Sequence, residues 1–309
     1  MTGGTDLGLW SVPLAIVAGA IRVSAPFMLV SIGECITEKS GRINLGLEGI
    51  LVMGAMSGYA VSYLSNSPWL GVLVAALTGL FLGVLHGLLC SLKRVNDIAI
   101  GISLMLFGTG MAFFFGKEFV QPKAPNLPSI AFGSWSTYPQ VQSALEINAL
   151  FIAGIVLAFV THWVLANTRW GLMLRTVGDS ESAARALGFP VLRMRIAATA
   201  IGGMMAGVGG AYLSLVYPGS WNEALSSGQG FMAVALVIFA RWQPLRCVVA
   251  ALIFGGAGAI GPALQAVGIT SGYYLFNAAP YVLTLVLMLT ANAKTQTLAG
   301  APGELSLTR

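Results

Sequence analysis

Apolar residues run in unbroken blocks along this chain, and polar residues gather in short interruptions between them. Blocks near 10–33, 46–65, 69–92, 97–116, 147–166, 196–216, 228–241, 245–264 and 273–291 mostly approach 20 residues. That is the length a helix needs to cross roughly 30 Å of hydrocarbon. The pattern predicts an all-α polytopic membrane protein with about nine spans. Continuous runs such as Leu70 to Leu92 lack the alternation of a barrel strand.

Two places depart from this regularity. The seventh block has only about fourteen residues before Arg241, too few for an upright crossing at about 1.5 Å per residue. Its N-terminus is expected to begin below the surface and to aim free amides into a cavity, with Gln229 and Phe231 nearby. A tilted, frayed span is the alternative. Between the first two blocks, Gly33 to Gly49 mixes charges and glycines with apolar sequence. Asn44 and Glu48, four residues apart, would share a helix face, and Gly41, Gly46 and Gly49 permit a broken helix lining a cavity. The other reading is a plain turn from which Glu48 enters the next helix.

The largest polar interruption runs from Asn167 to Arg195. It holds Arg169, Arg175, Arg185, Arg193 and Arg195 with Asp179 and Glu181, in a chain whose charged residues are only 9% of the total. Its centre predicts a short helix. Asp179 or Ser180 caps the start, Glu181 suits the positive end, Arg185 suits the negative end, and Gly188 and Pro190 stop it. So short a helix is marginal alone and is expected to dock on something.

Charge then sets orientation. With the N-terminus outside, Lys39, Arg42, Lys93, Arg94, these five arginines, Arg241, Arg246, Lys294 and Arg309 all fall inside. This satisfies the positive-inside bias. The net charge of +5 is thereby a matter of topology, with no need of nucleic acid. Residues 1–291 form one transmembrane domain with 167–195 as its cytoplasmic loop, and 292–309 are expected to be a disordered cytoplasmic tail. Asp97 is expected to cap the fourth span. Arg22 either lines a polar cavity or snorkels to the headgroups.

Catalytic and energy-converting motifs are missing. Gly110 to Lys117 does not have phosphate-loop spacing, no hydrolase or metalloprotease signature occurs, and Cys35, Cys90 and Cys247 lack metal-ligand spacing. A transport pore without a motor suggests an engine in another chain.

The segment Glu181-Ser182-Ala183-Ala184-Arg185-Ala186-Leu187-Gly188 resembles the Glu-Ala-Ala…Gly coupling motif of ABC importer permeases, with Ser182 where many relatives have Ala. Ser40 to Gly49 matches the Ser-Gly-x-x-Asn-x-Gly-x-Glu-Gly pattern of the nucleoside-type branch of the branched-chain amino acid, ribose and nucleoside permeases. Gly228 to Phe231, Ala233 to Leu236 and Arg241 to Pro244 also look like that branch.

This resemblance implies a type II ABC importer permease in the bacterial inner membrane. It implies a second permease subunit in a heterodimer, cytoplasmic ATPases that carry the ATP and Mg, and an external substrate-binding lipoprotein. No metal or cofactor is expected on this chain. Nucleosides or purine bases are the expected cargo, with simple sugars or branched-chain amino acids as alternatives and a self-sufficient secondary transporter as the rival class. Asp179, Glu181, Ala183, Ala184, Arg185, Leu187 and Gly188 would engage the ATPase. Ala183, Ala184 and Leu187 would fill its groove, with Glu181 and Arg185 setting register. Asn44, Glu48, Gln229 and Phe231 are the candidates near the substrate pathway.

Overall fold

The computed structural model describes residues 11–92, 94–120, 122–266, 276, 278–292 and 300–307. Apolar blocks become helices α1 (Ser11–Lys39), α2 (Leu47–Ser65), α3 (Pro68–Leu89) and α4 (Asp97–Gly116). A hairpin of β1 (Ser129–Ala131) and β2 (Glu146–Asn148) follows, with the short α5 (Pro139–Ala144) between its strands. Then come α6 (Ala149–Asn167), α7 (Arg169–Asp179), α8 (Glu181–Ala186), α9 (Val191–Leu215), α10 (Gln229–Phe239), α11 (Pro244–Ala266), α12 (Ala279–Asn292) and α13 (Gly303–Leu307).

Among the described residues, α1, α2, α3, α4, α6, α9 and α11 are long and apolar enough to cross a membrane. The chain is a multi-pass membrane protein whose only strands, among those residues, are the small hairpin. Part of the ninth predicted span, and Lys93, Lys294 and Arg309, lie outside the described residues.

Helix α9 is the axis of the bundle, packed against α1, α2 and α3. Small residues make this possible, because helix association in lipid depends on close backbone approach. A Cβ at Gly54 would stand 2.7 Å from Gly207 Cα, and one at Gly203 would stand 2.8 Å from Gly83 Cα. The outward faces remain apolar: Leu73, Leu77 and Phe81 on α3, Phe107 and Phe114 on α4, and Phe159 and Trp163 on α6 are exposed. Such faces suit lipid or a second subunit.

Two expectations change here. Helix α1 does not stop near residue 33 but continues to Lys39, because Glu34 and Glu38 both turn inward and find donors in Asn44 and Trp242. Asn96, not Asp97, caps α4, while Asp97 pairs with Arg42 at 2.5 Å. Arg22 reaches Glu146 on β2 at 3.4 Å, so it belongs to the hairpin end of the bundle.

The tail also departs from expectation. Residues 303–307 form a helix docked on α7, and Pro302 is buried. Gly303 lies so close to the Asp179 carbonyl that a side chain there would collide with it.

Candidate functional site

The turn after α1 determines the interior of the bundle. The chain reverses at Gly41 (φ 80°), then climbs back until the Asn44 amide donates to Glu34 Oε1 at 2.8 Å, five residues above Lys39 on α1. Helix α2 therefore starts inside the bundle. Asn44 precedes it, so the expected shared face with Glu48 does not form. Fully buried, Asn44 instead shapes the turn, its Oδ1 accepting from the Gly46 amide at 2.9 Å.

Glu48, in the first turn of α2 and only 8% exposed, meets a second interior helix end. The loop after α9 descends past buried Trp221, whose Nε1 donates to the Gly116 carbonyl at 2.9 Å. It then turns into α10 at Gly228 (φ 82°), where only glycine is unstrained. Glu48 accepts from Ser226 Oγ (2.5 Å), Gly228 N (3.1 Å) and Gly230 N (2.6 Å). A helix N-terminus has amides without internal partners and a positive field, so a carboxylate is well matched to it. Gly230 is needed for the approach, since a Cβ there would stand 2.6 Å from Glu48 Cα.

The N-terminus of α10 lies within the bundle, as its length predicts, but its first amides are not free: Glu48 takes those of Gly228 and Gly230, and the Ser226 carbonyl takes that of Gln229. At the other end of α10, buried Trp242 donates its Nε1 hydrogen to Glu38. Two carboxylates from the α1–α2 region therefore pin both ends of this short helix. Gln229 Oε1, Asn44 Nδ2 and Glu34 Oε2 are buried there without a hydrogen-bond partner among the described residues. Phe231 is 41% exposed, on the outer side of α10.

The polar loop is the second candidate. Thr168 caps α7 by accepting from Gly171 N at 3.1 Å. Gly178 lets α7 lie against the end of α1, where a Cβ would stand 2.9 Å from the Lys39 carbonyl carbon. Ser180 caps α8 by accepting from Ala183 N at 3.3 Å, and Gly188 (φ 76°) ends the turn that follows. Asp179 is the last residue of α7 and not the cap.

Glu181 holds Arg185 at 2.7 Å and Arg195 at 2.6 Å. Burial alone would raise its carboxyl pKa, but the hydrogen bonds from Arg185 and the charge of Arg195 outweigh this and hold it below the ordinary value. Arg195 also donates to the Ser40 carbonyl at 3.2 Å. This ties α8 to the turn that leads to Asn44 and Glu48.

The exposed face of α8 and its exit presents Ser182, Ala183, Arg185 and Leu187. Ala184 is fully buried against its own chain and cannot fill a partner's groove. Arg195 and Glu304, which complete the loop, escaped the sequence reading. In the sequence Arg195 reads only as loop charge, and nothing local links Glu304 to a residue more than a hundred positions earlier.

Comparison with known proteins places this architecture. Residues 16–291 match the family described as branched-chain amino acid transport system, permease component. A Haloferax volcanii protein, provisionally named a glucose ABC transporter permease, is 34% identical over 76% of this chain and 73% of its own length. The nucleoside ABC transporter permease NupC of Lactococcus lactis is 31% identical over 88% of this chain and 90% of its own. The guanosine ABC transporter permease NupQ of Bacillus subtilis is 28% identical over the same shares. With a match across nearly the whole helical bundle, this chain belongs to the branched-chain amino acid transport system permease family, as a membrane-spanning transport subunit and not an enzyme.

Proposed function

We propose that this chain is one permease subunit of an ABC importer that carries nucleosides or purine bases. The carrying observation is its similarity over 88% of its length to permeases named for nucleoside and guanosine transport. Charge placement supports an arrangement with the hairpin end outside and α7 and α8 in the cytoplasm. Its partners are a second, different permease chain, cytoplasmic ATPases that hold ATP and Mg, and an external binding lipoprotein.

In this reading α8 is the coupling helix. Ala183 and Leu187 enter the ATPase groove, Arg185 sets register at its rim, and Glu181 transmits the load through Arg195 to Ser40. Asp179 and Gly188 bound the moving unit. The load reaches Asn44 and Glu48 along the 40–46 turn and shifts α10 with α2; Phe231 on the exposed face of α10 and Gln229 at its buried start are the candidates nearest the substrate route. An amide can hydrogen-bond a base or ribose, and a ring can stack on a base.

Sugar import is the second reading, favoured by the 34% identity to the relative named for glucose. The test is uptake into proteoliposomes holding the complete transporter. Labelled guanosine should enter only with ATP, and unlabelled nucleosides should compete where glucose does not. Competition by glucose alone supports the sugar reading; gradient-driven uptake by this chain without partners rejects the importer.

A further inference from the structure

The segment 300–307 does not merely lie near the polar loop; it supplies a part that α8 lacks. Ser180 satisfies the Ala183 amide. The Glu181 amide donates to Glu304 Oε1 at 2.7 Å, and the other Glu304 oxygen lies 3.6 Å from the Arg195 guanidinium. The Arg195 side chain is only 9% exposed, so this charge is held in place by Glu181, Glu304 and the Ser40 carbonyl together.

The tail is itself anchored. Lys39 Nζ donates to the Gly300 carbonyl at 3.4 Å, Ala301 and Leu305 pack on the main core, and Gly303 fits against the Asp179 carbonyl. A six-residue helix is marginal without outside support, and here that support comes from the far end of the chain.

We propose that residues 300–307 are a working part of the coupling device and that Glu304 is a positioning residue, acting through the Glu181 amide and Arg195 to fix how α8 meets the ATPase. This rests on the reading of α8 as the coupling helix. Losing Glu304 frees the first amide of α8 and leaves Arg195 with Glu181 and the Ser40 carbonyl. The helix then loosens at its start while the bundle stays intact.

Two measurements test this. The first needs no ATPase: amide hydrogen exchange over residues 180–188 in the purified permease. Glu304→Ala, or a chain ending at residue 299, should raise exchange there about tenfold, the loss expected for one charge-assisted hydrogen bond. Glu304→Gln keeps an acceptor for the Glu181 amide and should fall between. Unchanged exchange in Glu304→Ala overturns the proposal.

The second is substrate moved per ATP hydrolysed in the complete transporter, with Glu181→Arg as reference. Glu304→Ala should lower the ratio, less than Glu181→Arg does, and Glu304→Gln should recover part of it. A normal ratio in Glu304→Ala beside a lowered one in Glu181→Arg overturns the positioning role and leaves the coupling reading standing. Normal ratios in both overturn the two together.

Discussion

Two short helices in this molecule are held by the same device in opposite surroundings. Helix α10 starts inside the bundle on Glu48, a carboxylate from about 180 positions earlier. Helix α8 starts at the polar end on Glu304, a carboxylate from more than 120 positions later. Glu48 is 8% exposed, whereas the Glu181 and Glu304 side chains are 32% and 21% exposed. Water can replace a lost cap at α8 but not at α10. The interior helix therefore moves only together with α2, whereas the outer one can shift by itself when something presses on it.

The sharpest way to break this contrast is to remove the interior carboxylate. Glu48→Ala leaves the Gly228 and Gly230 amides and the Ser226 hydroxyl unpaired in the bundle, where each unsatisfied group costs about 1–3 kcal/mol. Thermal unfolding in detergent should show the largest loss of this set, with Glu48→Gln intermediate because one acceptor oxygen remains. Removing the guanidinium at the outer site comes next. Arg195→Ala should cost about 2–3 kcal/mol, since two carboxylates and the Ser40 carbonyl lose a nearly buried donor. Uptake should fall more than stability does.

Acid gives a finer test. The Glu181 carboxyl is held below its ordinary 4.5, so its contacts are complete above that pH and vanish as pH falls through the lowered value. Exchange over residues 180–188 should be insensitive to pH near neutrality, after correction for intrinsic rates, and rise only in acid. Arg195→Gln should move that rise toward 4.5. Smallest in stability is Phe231→Ala, at an exposed position where substitutions fall within about 0.5 kcal/mol. Competition by purine against pyrimidine nucleosides should change while unfolding does not.

The contrast also explains what could be read from sequence. Apolar blocks of spanning length and the local signals around α8, Ser180 before it and Gly188 after it, follow from neighbouring residues alone. The interior start of α10 was visible as a block too short to cross. Its cap was not, because the donors at 226–230 and the acceptor at 48 meet only after the fold has formed. The burial of Ala184 is illegible for a similar reason. In so short a helix the buried face is chosen by what it docks on, and no periodicity within six residues reveals that. A polar composition predicts a disordered tail, yet in residues 300–307 one glutamate and one glycine fit against α7 and α8.

The central claim is that force from an ATPase enters through α8. The direct measurement is ATP hydrolysis and nucleoside uptake, side by side in proteoliposomes, for a transporter carrying Glu181→Arg together with Arg185→Glu. This exchange can preserve the pair within α8 but sets the introduced guanidinium against Arg195. Hydrolysis should continue while uptake falls at least about tenfold, the consequence of losing roughly 1.4 kcal/mol or more of coupling. Uptake equal to that of the unaltered transporter would contradict the account.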